Sequence, residues 1–220
     1  MNYVTDDELN IYLRTIQPKY KGNLGEIQKK ANELNIPIIP HETARFLSVL
    51  MTLKKPKHIL EIGTAVGFSA SLMAQYIPED GSITTIDRFD IMIQNAKKNI
   101  EKMELKNKIK ILEGDANDIL PTLNNKYDVI FIDAAKGQYG KFFKHCIRLL
   151  PIGGIIIFDD VLQGGNISRS RFEVPRRQRT IHKRMRNFLW EISHSDLFES
   201  SIIPIGDGIV LCIKIKEIEN

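Results

Sequence analysis

The chain has 220 residues, 43% of them hydrophobic, and a formal net charge of +4 at pH 7. This length and apolar content suit one sizeable α/β domain, so we predict a single domain over residues 1–220, with an N-terminal helical cap (1–55) and a core (56–220). The sequence contains no run of about 18 apolar residues and no charged-then-apolar leader, so we expect neither a membrane partner nor a secretory signal.

Helical patterns dominate the N-terminal cap. Thr5 with Glu8 forms a candidate capping box. The apolar residues of the first predicted helix, over residues 5–17, recur at helical spacing: Leu9, Tyr12, Leu13 and Ile16. A polar loop through Gly22 and Gly25 leads into a second helix that ends near Asn35. A third helix is predicted over residues 42–53, with four apolar positions available for burial: Ala44, Phe46, Leu47 and Leu50.

From His58 onward, short apolar strands alternate with helical patterns. The candidate strands are His58–Ile62, Ser82–Asp87, Ile109–Glu113, 128–133 and 154–159. This alternation predicts βαβ units and a parallel, doubly wound sheet. Only Gly206-Asp207-Gly208 separates the last two apolar runs, 198–205 and 209–215, which leaves no room for a crossover helix. We therefore expect them to pair as an antiparallel hairpin.

Two of these strands stop abruptly on acidic residues. One ends on Asp133, with Lys136 close behind, and the other ends on Asp159 and Asp160. In open parallel sheets, ligands bind just outside the carboxyl ends of the strands. Three carboxylates gathered there repel one another unless they share a cation. The pattern therefore predicts a hard metal ion with oxygen ligands, such as Mg²⁺.

A glycine-rich turn follows the first core strand, with Gly63 and Gly67 at positions that allow a tight turn and close approach to a ligand. Asp87 ends the next strand, where an acid can hydrogen-bond ribose hydroxyls, and Asp115 follows the third, where an adenine ring would lie. Taken singly, Asp87 also suits a helix N-cap and Asp115 a turn. Together these residues indicate an adenosine-bearing cofactor, while the glycine spacing argues against a dinucleotide and the missing P-loop against ATP.

These motifs, in this order, resemble the metal-dependent S-adenosylmethionine O-methyltransferases of the catechol and caffeoyl-CoA type. The resemblance implies a Rossmann-like class I methyltransferase fold, with a mainly parallel seven-stranded sheet, N-terminal helices and a C-terminal antiparallel hairpin. Within that group, the chain is most similar to the bacterial tRNA 5-hydroxyuridine methyltransferases. The similarity extends to the loop Lys136-Gly137-Gln138-Tyr139 and to Gly206-Asp207-Gly208.

The resemblance also implies which residues form the site. Asp133, Asp159 and Asp160 would bind Mg²⁺, although many relatives carry Asn where this chain has Asp160. The methyl donor would be surrounded by Ile39, Glu61, Gly63, Ser69, Asp87, Asp115, Ala116 and Asp133. The catalytic residues would be Lys136, as general base or as electrostatic partner of the substrate oxyanion, and Asp133. Lys136 as an ordinary surface lysine is the alternative, and Tyr139 is expected either to flank the site or to pack.

Positive charge is concentrated in one segment, residues 169–186, which holds eight basic residues and one acid and so carries +7. The rest of the chain is then about −3. A helix over residues 176–193 is predicted to bury a stripe of Ile181, Met185, Phe188, Leu189 and Ile192. The basic residues off that stripe are predicted to hold phosphates of a tRNA anticodon arm: Arg171, Arg176, Arg177, Arg179 and Lys183. A merely solvated helix face is the alternative, and Gly164-Gly165 is expected to let the preceding loop move.

The leading hypothesis is a tRNA wobble-uridine O-methyltransferase that makes 5-methoxyuridine. O-methylation of a small catechol or phenylpropanoid is the runner-up. Nucleic-acid binding without catalysis is disfavoured by the intact acid and lysine set, and a nicotinamide dehydrogenase by the glycine spacing. We also expect a homodimer, formed through the N-terminal helices and the hairpin. Because Cys146 and Cys212 fit best as buried reduced thiols, we expect a cytoplasmic location.

Overall fold

The computed structural model describes residues 7–217. Its helices are α1 (Asp7–Ile16), α2 (Gly22–Glu33), α3 (His41–Lys54), α4 (Phe68–Met73), α5 (Asp90–Lys102), α6 (Ala116–Ile119), α7 (Tyr139–Leu149) and α8 (Arg179–Ser193). Its strands are β1 (His58–Ile62), β2 (Ser82–Asp87), β3 (Ile109–Glu113), β4 (Val129–Ile132), β5 (Ile155–Phe158), β6 (Phe198–Ile203) and β7 (Ile209–Lys214). Short 3₁₀ turns lie at Leu120–Thr122, Lys136–Gln138, Asn166–Ser168 and Arg176–Gln178.

The seven strands form one sheet in the order β3-β2-β1-β4-β5-β7-β6. The first five strands pair in parallel, whereas β7 runs antiparallel to both β5 and β6. The predicted doubly wound sheet and its C-terminal hairpin are therefore confirmed. Strand order reverses between β1 and β4, and at such a switch point the loops that leave the strand ends diverge and open a crevice.

Both faces of the sheet are buried, which explains why the central strands read as continuous apolar runs. Alternate residues of each strand point to opposite faces. On one face Ile59, Phe131 and Ile157 pack against α2 to α5. On the other face Leu60, Ile130 and Phe158 pack against α6 to α8. Each face of the sheet therefore needs a covering layer of helices. The helices before β3 form one layer and those after it form the other.

The N-terminal helices differ from expectation in two ways. Helix α2 begins at Gly22 and contains Gly25, where a loop was predicted. Residue 25 must be glycine because a Cβ there would lie 2.3 Å from the carbonyl oxygen of Tyr20. In α1, the predicted apolar stripe is largely exposed, with Tyr12 and Ile16 both 59% exposed. The predicted capping residue Thr5 lies outside the described residues. Helices α2 and α3, by contrast, contribute buried residues to the first core cluster.

Helix α8 is preceded by the 3₁₀ turn Arg176–Gln178, so the predicted single helix over residues 176–193 is two elements. Four of its five predicted stripe residues are buried: Met185, Phe188, Leu189 and Ile192. Ile181 is 38% exposed, and His182 is buried in its place. Since Met185 and Leu189 follow His182 at helical intervals, the buried face begins with a polar residue that hydrophobic patterning overlooks.

Both cysteines are buried and free, as expected. Burial raises the pKa of each thiol, so neither is a reactive thiolate. Among the described residues, no helix combines the length and the apolar character needed to cross a membrane.

Candidate active site

A cavity of about 1000 Å³ opens at the carboxyl ends of β1, β2, β3 and β4. Five of the eight residues predicted to surround the donor line it: Gly63, Asp87, Asp115, Ala116 and Asp133. The other three, Ile39, Glu61 and Ser69, are at most 9% exposed and are not part of its wall. The structure therefore brings most of the predicted set to one crevice, at the place where strand order reverses.

The backbone of the glycine-rich turn lies close to the backbone at the end of β4. Gly63 has a φ of +105°, and a Cβ there would lie 1.9 Å from the carbonyl oxygen of Asp133. Glycine is thus required both by backbone conformation and by the close approach of the two strand ends. Gly67, with a φ of +77°, begins α4. Gly63 lines the cavity, whereas a Cβ at Gly67 would lie 3.4 Å from Ala96 Cβ, so Gly67 allows α4 to pack closely against α5.

Asp87 organises this turn as well as lining the cavity. Its Oδ2 accepts hydrogen bonds from the amides of Thr64 (3.0 Å) and Ala65 (2.9 Å). Its Oδ1 accepts from the amides of Arg88 (2.7 Å) and Phe89 (3.0 Å). Asp87 is not a helix N-cap, since Phe89 takes that position at α5. The carboxylate therefore ties the end of β2 to the turn after β1 while its outer surface remains on the cavity wall.

Asp115 is the N-cap of α6, where its Oδ1 accepts a hydrogen bond from the amide of Asn117 at 2.9 Å. Its other oxygen accepts from Arg88 Nη1 at 2.8 Å. The Arg88 guanidinium also lies 5.2 Å from the ring centre of Phe89. Hydrogen bonds from Asn117, followed by Arg88, lower the pKa of Asp115. Arg88 and Phe89 line the cavity and were not predicted; their position directly after Asp87 was the only available signal.

Glu61 is a fully buried carboxyl group behind the glycine turn. Its Oε2 accepts a hydrogen bond from Thr85 Oγ1 at 2.5 Å, whereas its Oε1 has no hydrogen-bond partner among the described residues. Burial raises the pKa of Glu61 to about 8, and the charges of Asp133 and Asp87 act in the same direction, opposed by the hydroxyls of Ser69 and Thr85. Glu61 is therefore protonated in the folded protein at neutral pH.

The raised pKa of Glu61 makes stability depend on pH. Glu61 costs nothing below about pH 4.5, its ordinary pKa, because both folded and unfolded states are then protonated. As pH rises towards 8, only the unfolded state ionises, so stability falls. We expect Glu61→Gln to remove this dependence and to exceed the wild type at pH 8 to 9 by on the order of a few kcal/mol in unfolding free energy. Urea unfolding at pH 5 and pH 9 measures it; identical pH slopes for the two proteins would contradict it.

Three acidic residues lie at the ends of β4 and β5. Asp159 is 1% exposed, and burial followed by the charges of Asp133 and Asp160 raises its pKa to about 8. Burial and the charge of Asp160 likewise raise the pKa of Asp133 to about 6. Mutually repelling carboxyl groups of this kind suit a hard cation, whose charge would offset theirs. The three carboxyl groups therefore supply the kind of oxygen ligands that Mg²⁺ prefers.

The donors are not arranged as a finished metal site. Within residues 7–217, no three His, Cys, Asp or Glu side chains are grouped closely enough to hold a metal ion. Asp160 instead pairs with Lys136, at 3.0 Å between Oδ2 and Nζ.

The backbone of Asp160 explains the residue type found there. Its φ is +59°, in the left-handed region, and its amide donates to Asp159 Oδ1 at 2.8 Å. Apart from glycine, Asn and Asp adopt this conformation most readily. The Asn that the resemblance implies for many relatives would therefore suit the same conformation, and Lys136 offsets the negative charge of Asp160.

Lys136 lies between two carboxylates. Besides Asp160, its Nζ contacts Asp207 Oδ2 at 3.4 Å. Burial opposes the charge of Lys136, but the two carboxylates outweigh it and raise the pKa of the ammonium group. Asp207 also accepts a hydrogen bond from the amide of Gly164 and so joins the β6–β7 turn to the loop after β5. The sequence indicated Asp207 only as a turn residue, because it lies 71 residues from Lys136 along the chain.

Tyr139 packs instead of facing the site. Its ring is 1% exposed and lies 5.5 Å from the ring of Phe158, and its hydroxyl donates to the carbonyl oxygen of Asp159 at 2.8 Å. It therefore fixes the backbone at the end of β5. Gln138, one residue earlier, does line the cavity, and its buried Oε1 has no hydrogen-bond partner among the described residues.

The predicted phosphate-binding residues fall into two groups. Four are exposed: Arg171, Arg176, Arg177 and Lys183. Arg179 is half-buried and donates to the carbonyl oxygens of Val174 and Phe172, both at 3.1 Å, so it serves to order the preceding segment. This basic segment adjoins the lysine turn, because Arg184 Nη1 donates to the carbonyl oxygen of Gly137 at 3.3 Å.

Comparison with known proteins agrees with the geometry. Residues 15–215 match the family model described as O-methyltransferase. The caffeoyl-CoA O-methyltransferase of Populus kitakamiensis is 32% identical over 212 residues, which cover 92% of this chain and 90% of that protein. A Staphylococcus aureus crystal structure, provisionally named as a caffeoyl-CoA O-methyltransferase, is 32% identical with a TM-score of 0.84 and covers 94% of this chain and 98% of its own. The Bacillus cereus O-methyltransferase solved with SAH shares the fold, with 23% identity, a TM-score of 0.81 and coverage of 94% and 97%.

The seven-stranded sheet with its antiparallel end, the glycine turn and the crevice at the switch point define a Rossmann-like class I methyltransferase. The family match extends over nearly the whole chain. The chain belongs to the O-methyltransferase family, and it is an S-adenosylmethionine-dependent O-methyltransferase of the caffeoyl-CoA type.

Proposed function

We propose that this enzyme transfers a methyl group from S-adenosylmethionine to the 5-hydroxyl of 5-hydroxyuridine at the tRNA wobble position, giving 5-methoxyuridine. The observation that carries the proposal is the position of the basic segment. Its charge of +7 lies beside the turn that holds Lys136, with Arg171, Arg176 and Arg177 exposed. A polyanionic substrate would thus be held where its reactive group can reach the strand ends.

We assign Asp133, Asp159 and Asp160 to a Mg²⁺ ion. When bound, such an ion lowers the pKa of a coordinated hydroxyl group and so favours its ionised form. The part of Lys136 is electrostatic, because two carboxylates keep its ammonium protonated and thereby poorly suited to accept a proton. Its positive charge stabilises the substrate oxyanion.

In the methyl transfer itself, the substrate oxygen, ionised by loss of its proton to water, forms a bond to the methyl carbon as the bond from that carbon to sulfur breaks. The electron pair stays on sulfur and S-adenosylhomocysteine leaves. The protein's contribution is chiefly to align the two reactants, a contribution that can lower a barrier by several kcal/mol. Gly63 and Asp87 shape the donor side of the crevice, and Lys136 lies on the acceptor side.

The direct test supplies the enzyme with S-adenosylmethionine, Mg²⁺ and tRNA that carries 5-hydroxyuridine. Digestion to nucleosides and mass spectrometry should show 5-hydroxyuridine converted to 5-methoxyuridine. If that nucleoside gains no methyl group while S-adenosylmethionine still binds, the tRNA assignment is wrong and the family assignment stands.

Charge reversal tests the basic segment. We expect Arg176→Glu with Arg177→Glu to weaken tRNA binding and to reduce the slope of log affinity against log salt by about 2, one for each phosphate that is no longer neutralised. Donor binding should not change, since neither residue lines the cavity. Filter binding across a salt series measures the first effect, and calorimetric titration with S-adenosylhomocysteine the second.

A matched control for that experiment reverses two exposed lysines on the opposite layer, Lys29→Glu with Lys30→Glu. It changes net charge equally but leaves the basic segment intact, so it should cost little tRNA affinity. Equal losses in both double variants would mean that only overall charge matters, and the segment would lose its assigned role.

The second candidate function is methylation of a small catechol or phenylpropanoid. It is favoured by the relatives, several of which are named caffeoyl-CoA O-methyltransferases. This alternative predicts turnover of free catechols or free phenylpropanoids, and no effect on that turnover of reversing Arg176 and Arg177. The two candidates are therefore separated by one substrate panel assayed with both double variants.

We also propose that the enzyme is a homodimer. Large apolar side chains are exposed on the N-terminal helices α1 and α3 and on the edge strand β6, among them Tyr12, Val49, Leu53 and Ile202. Leu53 is 79% exposed, and covering such side chains removes apolar area from water. Sedimentation equilibrium should give twice the mass of 25.2 kDa; a monomer at all accessible concentrations would contradict it.

A further inference from the structure

The outward face of α8 carries a stripe that combines cations with an exposed aromatic ring. Arg179, Lys183, Arg186 and Trp190 recur at intervals of four, three and four residues, so they share one side of the helix. The opposite side is buried by Met185, Phe188 and Ile192. The helix contains one acid, Glu191, which is about 100° round the helix from Trp190. We call this face the α8 stripe.

Trp190 is the last residue of the α8 stripe, and its ring is exposed. Its indole stacks on the ring of His194, with ring centres 4.4 Å apart and planes 17° apart. His194 is itself held by a contact of 2.8 Å between its Nδ1 and the carbonyl oxygen of Trp190. Although this partner covers one side of the indole, Trp190 remains 65% exposed. An indole ring that stacks on His194 with one face and is exposed to solvent on the other can stack on a planar ligand.

Distance and charge indicate which planar ligand fits. Arg184 contacts the lysine turn at Gly137, and Trp190 lies six residues further along α8, about 9 Å at the rise of a helix. That span corresponds to two or three stacked nucleotides at about 3.4 Å each. Cations that hold a backbone and an aromatic ring on which bases stack are the two parts of a single-stranded nucleic-acid site.

We propose that Trp190 is a base-stacking platform for single-stranded RNA, a few nucleotides from the residue that is methylated. The proposal rests on the tRNA function above and adds a contact that positions the loop of the substrate. Arg179 and Arg186 already donate to backbone carbonyl oxygens. The exposed Lys183 is therefore the stripe cation that binds phosphate without regard to sequence, whereas Trp190 binds a base. Polyanions without bases therefore should not engage it.

Intrinsic fluorescence tests this directly, because Trp190 is the sole tryptophan in the chain. We expect oligouridylate to quench its emission in a saturable manner, and heparin, which has charge but no bases, to bind without that quenching. Trp190→Leu should weaken oligouridylate binding about 5- to 150-fold, as expected for the loss of one stacked base, and Trp190→Phe should retain most of the affinity. Heparin binding should be the same in all three proteins.

The outcomes distinguish this proposal from the one on which it rests. If oligouridylate binds but the emission does not change, or if Trp190→Leu binds RNA as tightly as the wild type, the platform is disproved and the tRNA function stands. If 5-hydroxyuridine in tRNA is not methylated by the wild type, the tRNA function fails whatever the fluorescence shows. Emission that is shielded from acrylamide as protein concentration rises, and is unchanged by RNA, would mean that a second copy covers Trp190, which also overturns the proposal.

Discussion

The Asp159→Asn variant is expected to lose methyl transfer by about 10²- to 10³-fold while becoming more stable in the absence of metal. The loss follows from the removal of one proposed Mg²⁺ ligand, since metal activation of a hydroxyl group contributes several kcal/mol. The gain follows from burial, because Asp159 is 1% exposed beside Asp133 and Asp160 and has its pKa raised to about 8. Replacing it removes a buried, repelled carboxyl group, worth on the order of a few kcal/mol near pH 8.

The expected result is specific because activity falls while stability in the absence of metal rises. The asparagine can still accept the hydrogen bond from the amide of Asp160, so local structure should persist. Thermal unfolding with and without Mg²⁺ should show a rise in Tm on metal addition for the wild type and little or none for the variant. Asp118→Asn, which removes an exposed acid on α6, should behave as the wild type in every respect. A variant that loses activity and stability together, and keeps its response to Mg²⁺, would show that Asp159 is structural.

Replacing Lys136 with methionine should lower kcat by about 10²- to 10³-fold with little change in donor affinity. The reason is electrostatic, since a preorganised positive charge beside a developing oxyanion commonly contributes a factor of that size. Methionine keeps most of the volume of the side chain and removes only the ammonium. Steady-state kinetics with the unmethylated acceptor, together with titration of S-adenosylhomocysteine, separates the two effects. Lys141→Met, at an exposed position on α7, is the matched control.

Asp207 provides a graded comparison in the same experiment. Asp207→Asn should cost less than Lys136→Met, because Asp160 still pairs with Lys136 at 3.0 Å. If Asp207 acts through the lysine, its substitution should add nothing further in the Lys136→Met background. An equal loss in both backgrounds would instead mean that Asp207 matters through the loop at Gly164. Unchanged kcat in Lys136→Met would remove the lysine from the mechanism altogether.

Asp160 combines one feature that local sequence predicts with two that it does not. Its position at a strand end was predictable, because an apolar run that stops on an acid is a local pattern. Its left-handed backbone and its pairing with Lys136 were not, since both depend on the loop that the β6–β7 turn holds in place. The same is true of Arg88, whose ion pair with Asp115 joins residues from the ends of two different strands.

Helix α8 gives a second example. Periodicity located its buried face to within one residue, and the error at Ile181 arose because a buried histidine carries no hydrophobic signal. Composition also located the basic segment. Which of its cations are exposed depends on tertiary contacts. Arg179 donates to backbone carbonyl oxygens, whereas Arg176 and Arg177 extend into solvent.

Local sequence patterns were enough to predict the strands, their parallel direction up to β5, the antiparallel hairpin and the strand ends that carry acids. These follow from periods, runs and turn residues that act over a few positions in the chain. By contrast, the packing of Tyr139, the contact of Asp207 with Lys136 and the exposure of Trp190 at the end of a basic face follow from the way distant segments meet. Contacts between distant segments depend on how the layers close over the sheet, and no local pattern encodes them.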